Sequence, residues 1–338
     1  MARRAPPSFL GLFLPFHAEN RFAWPSAAFI ALAPLILAAL AAASQPRAVQ
    51  SAARVVTDEI GRRVVVPAEI RRVVSLAPNV TETLYALGVE AKIAGITDFT
   101  DLPAGAAPKP SVGEPLEPSL ERIAALRPDL VFVAGTINRR ETMESLSRLG
   151  IPVYATDPHT ARETLASIRD IAAVLGVADA GEELAARLEA RLDAVRARLA
   201  GVAPKRVLFV VWEDPLITTG PGTFIADALR WAGAVSVVNV AEDWPRISLE
   251  EVVRQQPDDV ILTATHTGAS PEFARTLEKR PGWRDLDAVR EGRVLVVSDA
   301  INRPSPALVD VIEQLARELH PAAFASVQSP PKGGRWLR

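Results

Sequence analysis

Residues 119–134 read SLERIAALRPDLVFVA, and residues 248–264 read SLEEVVRQQPDDVILTA. Each stretch opens on Ser-Leu-Glu and runs through a short helical pattern. Nine residues after its serine, each reaches Pro-Asp: Pro128-Asp129 in one, Pro257-Asp258 in the other. A β-branched apolar run follows both. Ser119 and Ser248 are expected helix N-caps, because a serine oxygen accepts from the first unpaired backbone N–H groups. The proline biases the residue before it away from helix, and so ends the helix ahead of a buried strand. One helix–turn–strand unit therefore occurs twice.

Outward from the first copy lie RRVVSL (71–76), KIAGIT (92–97) and VYAT (153–156). Around the second lie RVLFVVW (206–212), VSVVNV (235–240) and RVLVVS (293–298). Apolar strands alternating with helices define parallel sheets covered on both faces. The fold class is α/β, with two Rossmann-like lobes, each a mostly parallel sheet, over residues 52–178 and 204–322. Between them DAGEELAARLEARLDAVRARLAG (179–201) predicts a linker helix. Asp179 and Glu182 have capping-box spacing. Leu184, Leu188, Leu192, Val195 and Leu199 share one face, and Gly201 and Pro204 mark its end. A helix this long is about 30 Å and too stiff for large relative motion of the lobes. Ahead of the first lobe, VTDEIGRRVVVPAEI (56–70) reads as a surface hairpin about Gly61, closed by Pro67.

The chain has 338 residues, 49% of them hydrophobic, and a net charge of −2. The basic footprint of a nucleic-acid partner is missing. There are no cysteines, which excludes disulfides, thiolate metal sites, thiol catalysis and lipid attachment through cysteine. Arg21 precedes the apolar run Ala27–Ala43, and small residues follow near Ala43–Gln45. Residues 1–45 are read as a signal peptide for export to the periplasm, the alternative being an uncleaved anchor. The Pro- and Gly-containing tail 325–338 is expected to be disordered.

Four motifs, TDEIGRRVVVP (57–67), RRVVSLAPNVTETLYALG (71–88), SLERIAALRPDLV (119–131) and SDAINRPSPALV (298–309), stand in an order that resembles the cobalamin, haem and iron-siderophore class of periplasmic binding proteins. The resemblance covers residues 55–320. It runs furthest toward the vitamin-B12-binding members, through GITDFTDLP (95–103), Trp212 with PLITTG (215–220), WPRISLEE (244–251) and INRPSP (301–306). It implies two lobes joined by one helix, a ligand in the inter-lobe cleft, and docking onto the permease dimer of an ABC importer. The expected ligand is cobalamin or a related corrinoid. A haem or ferric-siderophore protein is the alternative, followed by a membrane-anchored ligand-sensing domain or an enzyme. For the enzyme there is no phosphate-cradling GxxxxGK, no GxSxG elbow and no recognisable acid–base pair of carboxylates. A monomer without a cofactor or metal site of its own is expected, the small-molecule ligand being a cobalt or iron chelate.

Parallel α/β sheets bind ligands at the carboxyl ends of their strands, so the candidates are the turns found there. Asn79 with Glu82 has capping-box spacing after RRVVSL; it is read as a structural cap whose backbone amides face the cleft. The resemblance implies that Phe99 lines a corrin site, where an aromatic face suits a flat macrocycle; the alternative is loop packing. Trp212 and Trp244 stand in loops at the expected cleft, or are buried within their lobe. Asp299, Asn302 and Arg303 match positions that make polar contacts with ligand, Arg303 as a donor or as half of a surface ion pair. At Asn302 the vitamin-B12-binding proteins carry an acidic residue, and at Val112 an aromatic. His266 follows a strand and has axial-ligand chemistry, with His159 and Tyr154 as counterparts in the other lobe, or is a plain loop histidine. For a siderophore, Arg139, Arg140 and Arg303 offer positive charge, although the first two also read as a solvated helix start. Glu121 and Glu250 hold the third position of the repeated SLE. A carboxylate there is favoured by the helix dipole. The resemblance implies more, namely permease docking, one carboxylate from each lobe.

Overall fold

Val66, Val73 and Val207 are solvent-free, and the strands around them organise the computed structural model, which describes residues 53–100, 102–263 and 270–325. The chain opens with the antiparallel hairpin β1 (Arg54–Thr57) and β2 (Arg63–Val66), turning at Gly61. The first lobe follows as β3 (Val73–Ser75), α1 (Pro78–Ala86), β4 (Ile93–Ile96), α2 (Leu120–Ala125), β5 (Leu130–Ala134), α3 (Arg140–Arg148) and β6 (Val153–Thr156). Helices α4 (Ala161–Leu175) and α5 (Ala178–Arg198) lead to the second. It comprises β7 (Lys205–Val210), β8 (Trp212–Glu213), β9 (Leu216–Ile217), α6 (Phe224–Trp231), β10 (Ala234–Ser236), α7 (Leu249–Gln255), β11 (Asp259–Thr263), α8 (Pro271–Thr276), α9 (Asp287–Arg290), β12 (Val294–Val297), α10 (Ala307–Leu319) and α11 (Pro321–Phe324). The two four-stranded sheets run β4-β3-β5-β6 and β10-β7-β11-β12, all neighbours parallel. The strand order is the same in both lobes. Every residue of β5 and of β11 is buried, as a strand covered on both faces requires.

The repeat read in the sequence is repeated in atomic detail. Ser119 Oγ accepts from Arg122 N, and Ser248 Oγ from Glu251 N, each at 3.2 Å. Both helices then run into a left-handed residue that is not glycine, Arg127 at φ +46° and Gln256 at φ +44°. Next comes Pro-Asp. Asp129 Oδ2 accepts from Arg71 N and Arg72 N, each at 2.8 Å, and Asp258 Oδ2 accepts from Arg206 N at 2.7 Å. Each aspartate thus fastens the beginning of its lobe's central strand. Replacing either by Ala leaves backbone donors without their charged acceptor, at a cost of about 1–3 kcal/mol. Denaturant midpoints of Asp129→Ala and Asp258→Ala should fall by similar amounts.

One apolar cluster runs from the inner face of the first sheet through α4 and α5 to α6, α10 and the second sheet. A separate cluster covers the outer face of each sheet. A core shared by both lobes resists their separation, so the helices between them permit only small relative motion. The predicted apolar face of α5 is buried at Leu184, Leu188, Leu192 and Val195. Its start differs from expectation. The N-cap is Val177, without a side-chain cap, and Asp179 lies inside the first turn. Glu182 instead takes the Arg169 guanidinium at 2.7 and 3.1 Å, a bidentate charged pair stronger than a bond to a backbone amide. Gly181 sits where α5 crosses α4: a Cβ there would stand 2.3 Å from Ala172 Cβ. The helix ends at Arg198, three residues before Gly201. The strand expected at 235–240 is only Ala234–Ser236, because Ser236 Oγ accepts from Val238 N and turns the chain. The run expected to end at Trp212 stops at Val210, and Trp212 begins a small hairpin with β9.

The first hairpin is clamped against β6. Asp58 accepts from Ala155 N, and Glu59 N donates to Ala155 O at 3.1 Å. Burial pushes the Glu59 carboxyl up to about 7, against hydrogen bonds from Ser167 Oγ (2.6 Å) and Asp157 N (2.8 Å) that pull it down. The folded chain holds this proton more tightly than the unfolded one. Stability should therefore fall as pH rises from about 4.5 towards about 7, and a pH series of unfolding midpoints on Glu59→Gln should lose that slope. Residues 1–45 and 326–338, with the expected signal peptide and most of the expected tail, lie outside the described residues.

Candidate ligand-binding site

The carboxyl ends of β3 and β12 meet across the lobes. After β3 the chain enters α1 with Ala77 as N-cap and Pro78 at its first position, where proline's fixed φ suits a helix start. The helix therefore begins two residues earlier than the Asn79–Glu82 spacing implied, and neither side chain caps it. Asn79 is buried, and its Oδ1 has no partner among the described residues. Glu82 reaches the other lobe: Arg303 Nε donates to its Oε1 at 2.9 Å. Both side chains are largely buried, 17% exposed for Glu82 and 23% for Arg303. After β12 a short 3-10 turn, Asp299–Asn302, is capped by Ser298 and presents Asp299, Asn302 and Arg303 together. The arrangement brings Asn79, Asn302 and Arg303 to one inter-lobe contact, with Glu82 as the member missed in the sequence. The two ion-pair partners are 221 residues apart, and no local pattern links them.

Three aromatic residues, Phe99 and Trp244 on loops and Trp212 in the short strand β8, are exposed to solvent. Phe99, after β4, is 80% exposed and adopts φ +59°. A left-handed backbone costs a residue with a Cβ roughly 1–2 kcal/mol. The loop holds it there through Asp98 N to Gly113 O at 2.9 Å and Thr100 Oγ1 to Thr97 O at 2.9 Å. Trp212 is 47% exposed; its Nε1 donates to Asp214 O, and Glu213 is braced by Arg280 at 3.0 and 3.1 Å. Trp244 is 46% exposed on a loop tied down by Thr218 N to Pro245 O and Gly220 N to Asp243 O. A Cβ on Gly220 would lie 1.8 Å from Glu242 O. Gly220→Ala must therefore displace the loop that carries Trp244, at about 1–3 kcal/mol, and calorimetry should show lower stability and weaker ligand binding together. The first-lobe rim is set by Asn138. Its Oδ1 accepts from Ala134 N, and its Nδ2 donates to Leu76 O and Pro115 O.

The other candidates separate. Tyr154 is fully buried in β6, edge-on to Phe132 at 5.6 Å, and cannot reach a metal. Val112 is likewise a core residue beside β4. His159 is exposed, its Nε2 3.2 Å from Asp157 Oδ2. His266 lies outside the described residues. Arg139 and Arg140 are exposed and paired with Glu117 and Glu144, each at 3.1 Å. A groove of about 680 Å³ lined by Arg162, Arg196, Trp231 and Gly233 opens at the amino ends of β7 and β10. It belongs to the hinge and not to the strand ends where α/β ligands sit. Glu121 and Glu250 both occupy the second position of their helices, exposed and without an ion-pair partner among the described residues.

Two α/β lobes of identical strand order, a shared helical hinge and a floor built at the carboxyl ends of both sheets define a bilobal solute-binding protein. The periplasmic binding protein family matches residues 73–300, and the chain belongs to it. It is 29% identical over 256 residues to the vitamin B12-binding protein of Vibrio cholerae serotype O1, covering 75% of this chain and 90% of that one. It is 27% identical over 277 residues to an uncharacterized ABC transporter substrate-binding lipoprotein of Bacillus subtilis, covering 80% and 86%. Among solved structures it resembles the periplasmic haem-binding protein of Roseiflexus sp. RS-1 in its apo form, with a TM-score of 0.68, 26% identity, and coverage of 75% and 99%.

Proposed function

We propose that this chain is the substrate-binding component of an ABC importer, and that it carries cobalamin or a related corrinoid in the cleft between its lobes. The observation that carries the reading is the set of exposed aromatics, Phe99 above all, held in an unfavourable backbone conformation at a strand end. A large, flat, partly apolar macrocycle buries such faces. The vitamin B12-binding relative supports the ligand class. The shared core limits closure, so ligand is held mainly by shape and aromatic contact. The protein works as an exported monomer, and Glu121 and Glu250 dock it onto the two halves of the permease. Haem is the second reading, favoured by the likeness to the haem-binding structure; with Tyr154 buried, it loses one of its axial-ligand candidates. Isothermal titration of the purified protein with cyanocobalamin and, separately, haemin tests the choice. One-to-one binding of cyanocobalamin is expected, and saturation by haemin alone would reverse the assignment.

A further inference from the structure

Around the Glu82–Arg303 pair, several buried polar atoms find no hydrogen-bond partner among the described residues. Glu82 Oε2 and Asn79 Oδ1 lie on α1, three residues apart and so on one face of the helix. Asn302 Nδ2 and Ser305 Oγ flank Arg303 on the other lobe. A buried polar group without a partner is costly, and a contact between two lobes that holds four of them is not built to be permanent. Its chemistry is asymmetric. The one guanidinium of this contact is already neutralised, at 2.9 Å, by a carboxylate on the opposite lobe. Among the unmet atoms are an acceptor, Glu82 Oε2, and a donor, Asn302 Nδ2.

Resting on the reading of the cleft as the chelate site, we infer that Glu82 is a specificity-determining residue that sets the charge class of the ligand. A primary carboxamide donates through N–H and accepts through C=O, so it answers both unmet groups at once. A carboxylate only accepts. It meets the Glu82 oxygen as a like charge and must compete with Glu82 for Arg303. With Glu82 in place, the floor takes neutral donor–acceptor groups and turns away carboxylates. Without that charge, Arg303 loses its cross-lobe carboxylate, and a partly desolvated guanidinium of that kind favours carboxylates.

The test measures, on each preparation, the ratio of affinities for cyanocobalamin and for its mixed monocarboxylic acids, in which one side-chain amide has been hydrolysed. Haemin, with two carboxylates, serves as a third probe. Wild type should prefer the all-amide ligand. Glu82→Gln, close in shape, should shift the ratio towards the carboxylates by about 10-fold or more, the scale of one charge-assisted hydrogen bond. Glu82→Asp, which keeps the charge, should stay on the wild-type side. A ratio on one preparation is insensitive to the fraction folded, so a loss of stability in either variant does not mimic the shift. An unchanged ratio in Glu82→Gln would overturn the inference and leave the corrinoid reading standing. Failure of wild type to bind cyanocobalamin at all would overturn both.

Discussion

Reversing charge at both Glu121 and Glu250 should abolish transport while leaving ligand affinity at the wild-type value. The two carboxylates stand at the same position of the same repeated unit, one in each lobe, behind the serine caps Ser119 and Ser248. They are exposed and are not engaged in ion pairs among the described residues. Neither contributes to the described floor of the cleft, which is built from α1 and the turn after β12. A permease with two-fold symmetry presents one basic patch twice, and a pseudo-symmetric partner answers with one acid per lobe. Substituting Lys at both sites sets like charges against each other, at a cost of several kcal/mol. Docking should then weaken at least about 100-fold, with each single reversal in between. Uptake in proteoliposomes containing the permease, measured beside cyanocobalamin affinity in solution, separates the effects. The wild-type interaction should also weaken as salt is added. Unchanged uptake by the double variant would refute the docking role.

Removing the aromatic faces should do the opposite, lowering ligand affinity with little change in stability. Truncating a well-placed interfacial aromatic costs on the order of 2 kcal/mol, or about 30-fold. Trp244→Ala is expected to reach that figure, and Phe99→Ala about 10-fold. Phe99 allows a sharper version. Its φ of +59° is comfortable only for glycine, and its ring makes little of the core at 80% exposure. Phe99→Gly should therefore lose affinity without lowering the melting temperature. A marked fall in melting temperature would mean that the ring packs for stability, and unaltered affinity would remove it from the site.

The lobes and their order were legible because their signals are local and repeated. SLE, Pro-Asp and an apolar run occur twice, and the caps at Ser119 and Ser248 form as their chemistry requires. The apolar face of α5 was readable from spacing alone. Two capping boxes were misread because both helices start two residues earlier than their spacing implied, at Ala77 and Val177. That leaves Asn79 and Asp179 inside the first turn, and Glu82 and Glu182 pair instead with Arg303 and Arg169. The Glu82–Arg303 pair was invisible because it joins residues 221 apart on different lobes. The β8–β9 hairpin was missed because its first residue, Trp212, was read as the end of the preceding strand. Tyr154 reads as a ligand candidate beside the turn after VYAT, but as the second residue of that strand its side chain is buried in the core. Exposed aromatics on strand-end loops were foreseen; that Phe99 is held in a left-handed conformation was not, since that depends on the loop's own hydrogen bonds.

The most direct measurement is the absorbance spectrum of the purified protein after separate incubation with cyanocobalamin, haemin and a ferric siderophore, each followed by desalting. The structure predicts retained corrinoid absorbance at one equivalent per chain, lost in Trp244→Ala and Phe99→Ala. A retained Soret band without corrinoid colour would contradict it and make the cleft a haem site.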